Sequence, residues 1–254
     1  MNEHSMRFGD TDVARIGLGT NRLAKTRGGV ELIKAAVAAG VQMIDTAHTY
    51  TGGQSEETIG DARSPIPGNC IVATKGGLGS GRPQALRDEI EISLTRLRTD
   101  SISLYYLHRV DPAIPLEESI AAIKEYRDRG KIRHIGLSNV DIDQIDRARK
   151  VVSIAAVQNA YSLSLRKYDT VVDYCAAEEI VFVPYVPLRG ADGATVAEIA
   201  GRHRATPQQI ALAWLLRRSQ AILPIPGTLS LQHLKENLAA LSIELSDAEF
   251  EALR

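Results

Sequence analysis

The chain has 254 residues, 44% hydrophobic and 24% charged, with a formal net charge of -1 and a pI near 6.6. Such a composition excludes a disordered or fibrous chain. The near-neutral charge excludes a global field that would draw the protein to nucleic acid or an anionic membrane.

Strand-length apolar runs fall, in chain order, at 14–20 (ARIGLGT), 41–46 (VQMIDT), 70–75 (CIVATK), 101–108 (SISLYYLH), 132–138 (IRHIGLS), 154–159 (IAAVQN), 180–186 (IVFVPYV) and 221–227 (AILPIPG). Helix-period stretches follow them at 29–40, 55–62, 83–97, 116–130, 140–152, 166–179, 195–219 and 230–241. Gly40 and Gly130 read as carboxyl-terminal stops, Pro83 as a first-turn proline, and Thr206-Pro207 as a cap followed by such a proline. Eight strand–helix units predict a single α/β domain over residues 1–254, a closed (β/α)8 barrel, with an open doubly wound sheet as the alternative.

Between these elements little else carries chemistry. Cys70 and Cys175 are too few for a disulfide framework or a metal cluster and read as reduced core thiols. The clusters Arg127/Arg129/Lys131/Arg133 and Arg202/Arg204 are short and interrupted, as on a solvated face. The segment MNEHSMRFGD lacks a signal pattern and no long apolar run occurs, so a cytoplasmic protein without membrane or nucleic-acid partners is expected.

Barrels of this kind gather their active sites at the carboxyl ends of the strands. Asp45 ends the second predicted strand, Tyr50 lies in the loop after it, Lys75 ends the third and His108 ends the fourth. Singly, an Asp is a cap, a Tyr or His packs, and only a buried Lys demands a partner. Together on one rim they form a candidate site. His48 and His134 are read as structural, and the scattered histidines and carboxylates do not make a metal-ligand set, which disfavours a metal-dependent hydrolase.

The pieces IGLGT, DTAHTY, VATK, YYLHR, GLSN, VQNAYS, VPYVPL and IPGTLSLQHLKEN, each at a predicted strand end and in this order, resemble the aldo-keto reductases, nicotinamide-dependent (β/α)8 barrels. The resemblance spans nearly the whole chain. It implies a catalytic tetrad of Asp45, Tyr50, Lys75 and His108, and NADPH as cofactor, with NADH as an alternative. By the same resemblance Ser138, Asn139 and Gln158 would hold the nicotinamide carboxamide and Tyr185 would stack on its ring. Gly19, Thr20, Pro187, Leu188, Gly227, Thr228, His233, Glu236 and Asn237 complete the implied cofactor contacts. No GxGxxG follows the first strand, so a Rossmann phosphate turn is lacking. The commonest family pattern has a lysine at Gly227 and an arginine at His233, so two cations that would grip a 2'-phosphate are absent here.

Carbonyl reduction leaves charge on oxygen, which a proton donor must quench. Phenol has a pKa near 10, about three units too high, and a neighbouring ammonium can lower it by about 1 to 3 units. Tyr50 beside Lys75, with Asp45 keeping the lysine charged, is therefore the expected acid, and His108 is its rival. The loops RVDPAIPLEES and PLRGADG and the ending LSDAEFEALR look short for the family, which predicts an open pocket for small carbonyl substrates, pyridoxal among them. A monomer is expected. The alternative is a redox-sensing nicotinamide-binding protein similar to channel β subunits.

Overall fold

The computed structural model describes residues 4–64 and 66–254, so the first three residues of the amino-terminal segment lie outside the description. The described chain begins with an antiparallel hairpin, β1 (Ser5–Phe8) and β2 (Thr11–Ala14), which the sequence reading does not anticipate. Its alternation buries Met6, Phe8 and Val13 and turns Arg7 and Asp12 outward, the period-2 signature of a half-covered ribbon.

Seven parallel strands follow: β3 (Leu18–Gly19), β4 (Met43–Asp45), β5 (Ile71–Gly76), β6 (Ile102–Leu107), β7 (Ile132–Ser138), β8 (Ala156–Gln158) and β9 (Val181–Phe182). Each pairs with the next in chain order. In β5 and β6 every residue is buried, because such strands are covered on both faces. The helices α1 (Arg27–Ala38), α2 (Gln54–Arg63), α3 (Pro83–Leu97), α4 (Leu116–Asp128), α5 (Ile142–Arg149), α6 (Asp169–Ala177), α7 (Ala194–His203), α8 (Pro207–Arg218) and α9 (Leu231–Ala239) form the outer layer, and α10 (Asp247–Ala252) ends the chain. Gly40 and Gly130 take φ +98° and +75° just after α1 and α4, where the left-handed turn stops each helix.

Three predicted elements differ. The run 14–20 is divided between the end of β2 and the two-residue β3. The run 195–219 is two helices, broken before Thr206, whose hydroxyl caps α8 ahead of Pro207. The eighth run, 221–227, contains no continuous strand but still closes the ring. Leu223 N donates to Phe182 O at 2.9 Å on one side, and Gly17 N donates to Pro224 O at 2.9 Å on the other. Isolated parallel bridges join Phe182 to Ile222 and Gly19 to Gly227. Pro224 and Pro226 have no N–H, so the ladder is interrupted while their carbonyls still accept.

The core has two parts. Met43, Ile71, Ala73, Leu104, Tyr106, Ala156, Val181, Val183, Leu223 and Ile225 fill the inside of the barrel, and Met6, Phe8 and Val13 of the hairpin pack onto them. The larger cluster lies between strands and helices and includes both cysteines, buried and unpaired with each other. His134 meets Phe8 edge-on at 5.4 Å, so it belongs to the hairpin contact. Among the described residues no helix is long and apolar enough to cross a membrane, and no group of metal-ligating side chains is found.

Candidate active site

Strand register sets the floor of the site before any loop contributes. Gly19 pairs with Asp45, and Ser138 pairs with Gln158, so these residues end their strands side by side. Lys75, two residues beyond Ala73, which pairs with Asp45, reaches back to it: Nζ donates to Asp45 Oδ1 at 2.6 Å and to Thr46 O at 2.7 Å. Gln158 Nε2 donates to the other carboxylate oxygen at 2.7 Å. Lys75 and Asp45 are 0% and 1% exposed, so a charge on either without its partner would be costly.

Tyr50 opens a 3-10 turn, Tyr50–Gly53, in which Thr51, Gly52 and Gly53 all take positive φ. Gly53 suits its place because its φ is +95°, and a Cβ there would displace the Arg96 guanidinium, whose carbon would lie 2.3 Å away. Arg96 also donates to His48 O at 3.0 Å, which ties the turn to α3. The turn brings the Tyr50 hydroxyl to 3.3 Å from Lys75 Nζ, and the His108 ring stands edge-on to the phenol at 6.1 Å between centroids. The four residues read from the sequence thus meet at one place.

Electrostatics correct one expectation. Burial drives the Tyr50 phenol up and the Asp45 charge adds to this, so Lys75 only partly opposes the rise and the net shift is upward. The sequence reading expected a net lowering, because it counted the ammonium without the burial of the hydroxyl. Burial alone would drive Lys75 down, but Asp45 and the Tyr50 oxygen more than offset it and the ammonium stays charged. Burial, Lys75 and Arg109 push His108 down to about 4, so its imidazole is neutral at physiological pH. Because the folded value lies below the ordinary 6.5, the unfolded chain binds the extra proton between the two. His108 therefore weakens folding as pH falls from about 6.5 towards about 4, and its nuclear magnetic resonance titration should show no protonation above pH 5.

A cleft of about 750 Å³ opens above this floor. Of the residues named from sequence it is lined by Asp45, Tyr50, His108, Gly19, Thr20, Ser138, Asn139, Gln158, Tyr185, Pro187, Leu188 and Gly227. Lys75 lies behind Tyr50 and does not face the cleft. Thr228, His233, Glu236 and Asn237 are also outside the lining, on the segment leading into α9 and on α9 itself. Thr20 spends its hydroxyl on Asp45 O at 2.7 Å, which makes it a brace. Asn139, at φ +61°, donates to His108 O and Ser138 Oγ and accepts from the Tyr185 hydroxyl at 2.7 Å. Ser138 keeps its own proton to donate, and each amide oxygen of Asn139 and Gln158 has two lone pairs, so a carboxamide would find both donor and acceptor here. The residues present fit a nicotinamide. Sequence reasoning missed Asn21, Arg22, Leu78, Arg109, Val186 and Arg189 in the lining. Three of these are arginines just after predicted strands, a position that hints at the rim but does not by itself tell a site residue from surface.

The sequence pattern of the Aldo/keto reductase family matches residues 15–194 and 191–254. The chain belongs to that family. Pyridoxine 4-dehydrogenase of Escherichia coli (strain K12) is 33% identical over 280 residues, covering 100% of this chain and 98% of its own. An uncharacterized oxidoreductase of Schizosaccharomyces pombe is 35% identical, covering 98% of this chain and 88% of its own. Among solved structures, the thermostable aldo-keto reductase Tm1743 in complex with the inhibitor epalrestat superimposes with a TM-score of 0.91 at 34% identity, covering 98% of both chains. An aldo/keto reductase from Klebsiella pneumoniae in complex with NADP and acetate gives 0.89 at 31%, covering 98% of this chain and 94% of that one. These aldo-keto reductase neighbours are barrels of the same (β/α)8 kind, and membership in the family makes the chain an oxidoreductase.

Proposed function

We propose that the chain, acting as one catalytic domain over residues 1–254, reduces aldehydes and ketones to alcohols with NADPH, and that Tyr50 delivers the proton. The observation that carries this reading is the Tyr50 hydroxyl 3.3 Å from the buried ammonium of Lys75, at the floor of a cleft whose far wall suits a carboxamide. When bound, the cofactor supplies the hydride. Tyr50, its phenol held protonated by burial, donates to the carbonyl oxygen, and Lys75 stabilises the phenolate that remains. Neutral His108 can donate its remaining ring N–H to that oxygen and so orient it, and at about 4 its pKa leaves no imidazolium to act as the acid at neutral pH. Asp45, fixed by Gln158, keeps Lys75 charged through the cycle.

NADPH is supported by the Klebsiella pneumoniae neighbours, one solved with NADP and another with NADPH. Arg22 and Arg189, exposed on either side of Gly227, supply positive charge near the expected phosphate end despite the residues found at Gly227 and His233. The whole-length similarity to pyridoxine 4-dehydrogenase makes pyridoxal a candidate substrate. Eight residues join β6 to α4, and we read the cleft as open and tolerant of small carbonyl compounds. Absorbance at 340 nm is expected to fall when 4-nitrobenzaldehyde is added with NADPH, with higher kcat/KM than with NADH. No fall with either cofactor overturns the enzyme reading, and equal or better efficiency with NADH overturns the cofactor choice.

A further inference from the structure

Three arginines, Arg22, Arg109 and Arg189, line the cleft, and the guanidinium of none of them has a hydrogen bond or ion pair among the described residues. The only carboxylate in the lining is Asp45, which is buried and already paired with Lys75. The cleft therefore has an excess of positive charge that the protein itself does not neutralise, and exposed cations facing a concave site attract anions.

Their positions around the ring separate these cations into two groups. Counting from β3, the segment 221–227 is the eighth member, closing between β9 and β3. Arg22 follows the first member and Arg189 the seventh, so both flank Gly227. Arg109 follows β6, the fourth member, and so stands across the barrel mouth from Gly227. A cofactor whose carboxamide lies at Ser138, Asn139 and Gln158 and whose phosphates lie towards Gly227 leaves Arg109 free. Arg109 immediately follows His108 and lines the same cleft as His108, Tyr50 and Tyr185, on the side where the carbonyl is to be reduced. Asp111 is the nearest acid in sequence, but its oxygens accept from Gly81 N and Ala113 N, each at 2.9 Å, and it does not pair with Arg109.

Resting on the reductase reading, we infer that Arg109 recognises an anionic group on the substrate, so that the preferred carbonyl compounds carry a carboxylate or phosphate remote from the carbonyl. Arg109 lies one residue outward of His108 on an exposed rim, so the anion projects towards the mouth while the carbonyl meets Tyr50. A guanidinium offers paired donors to either oxyanion, and such charge-assisted bonds are stronger than neutral ones.

The test compares kcat/KM for 4-carboxybenzaldehyde with its methyl ester, and for glyceraldehyde 3-phosphate with glyceraldehyde, at low salt. The wild-type chain should favour the charged member by about tenfold or more in one pair or both, the size expected of a charge-assisted hydrogen bond. The pair showing the preference identifies the oxyanion. In Arg109→Met that ratio should fall close to one, chiefly through KM, and Arg109→Lys should restore part of it. Arg133→Met, which removes the same charge at the start of β7, should leave the ratio unchanged. Added salt should raise KM for the acid and not for the ester. Binding of 4-carboxybenzyl alcohol and its methyl ester to the NADPH-loaded chain, measured by calorimetry, reads the same preference without turnover. Turnover with equal ratios in wild type and Arg109→Met overturns the anion inference alone. Absent turnover with the binding preference retained overturns the reductase reading alone.

Discussion

Tyr50→Phe is expected to lower kcat for 4-nitrobenzaldehyde by about 10² to 10⁴-fold, the range over which a positioned proton donor acts. The variant removes one oxygen and leaves the ring against Lys75 and His108, so the turn at Tyr50–Gly53 and the cleft wall keep their shape. NADPH binding, followed by quenching of protein fluorescence, should stay close to wild type, which places the loss in chemistry. The comparison variant is His108→Ala. With a pKa of about 4, His108 is a neutral imidazole at pH 7 and not an imidazolium acid, so its removal should act on carbonyl orientation and raise KM as well as lowering kcat. If Tyr50→Phe keeps near-normal turnover while His108→Ala does not, the roles are reversed. The direction of the Tyr50 shift matters to this expectation. A phenol raised by burial is fully protonated at neutral pH, and Lys75 contributes by lowering the energy of the phenolate as the proton leaves.

Lys75→Met should be the most damaging single change to stability in the site, lowering it by about 3–5 kcal/mol as read from the urea midpoint. Asp45 is 1% exposed and would keep only Gln158 as a donor, so its charge would lie unpaired beneath the cleft. The double variant Asp45→Asn with Lys75→Met removes both charges and should recover much of the lost stability without recovering turnover. That split separates two roles of one ammonium: neutralising Asp45, which any charge-free pair can replace, and facing the Tyr50 oxygen at 3.3 Å, which it cannot. Recovery of both, or of neither, would show that the pair does not work in this way.

Much of the site was legible because its chemistry is tied to strand ends. Asp45, Lys75, His108, Ser138 and Gln158 lie at the ends of β-rich apolar runs or one residue beyond, and a parallel barrel brings such positions to one rim irrespective of loop detail. Tyr50 is different. Its place in the loop after the second strand put it on the same rim, but its approach to Lys75 depends on a turn with three successive positive φ values clamped by Arg96, which strand ends do not reveal. Arg109 was passed over for the opposite reason: a lone arginine after a strand reads as surface until the cleft around it, and the absence of a paired acid among the described residues, are seen. The hairpin was also hidden, because SMRF and TDVA are too short and too polar to read as strands.

The succession of parallel strands from β3 to β9 with helices between them, the stops at Gly40 and Gly130, the cap at Thr206, and which polar residues end which strands were all present in the sequence, because periodicity and local turn chemistry act over a few residues. How the ring closes, through 221–227 where prolines break the ladder, how far the phenol stands from the ammonium, and in which direction its acidity moves were set by packing in three dimensions. Those outcomes depend on desolvation and on distances between groups many residues apart, which packing sets and no local window contains.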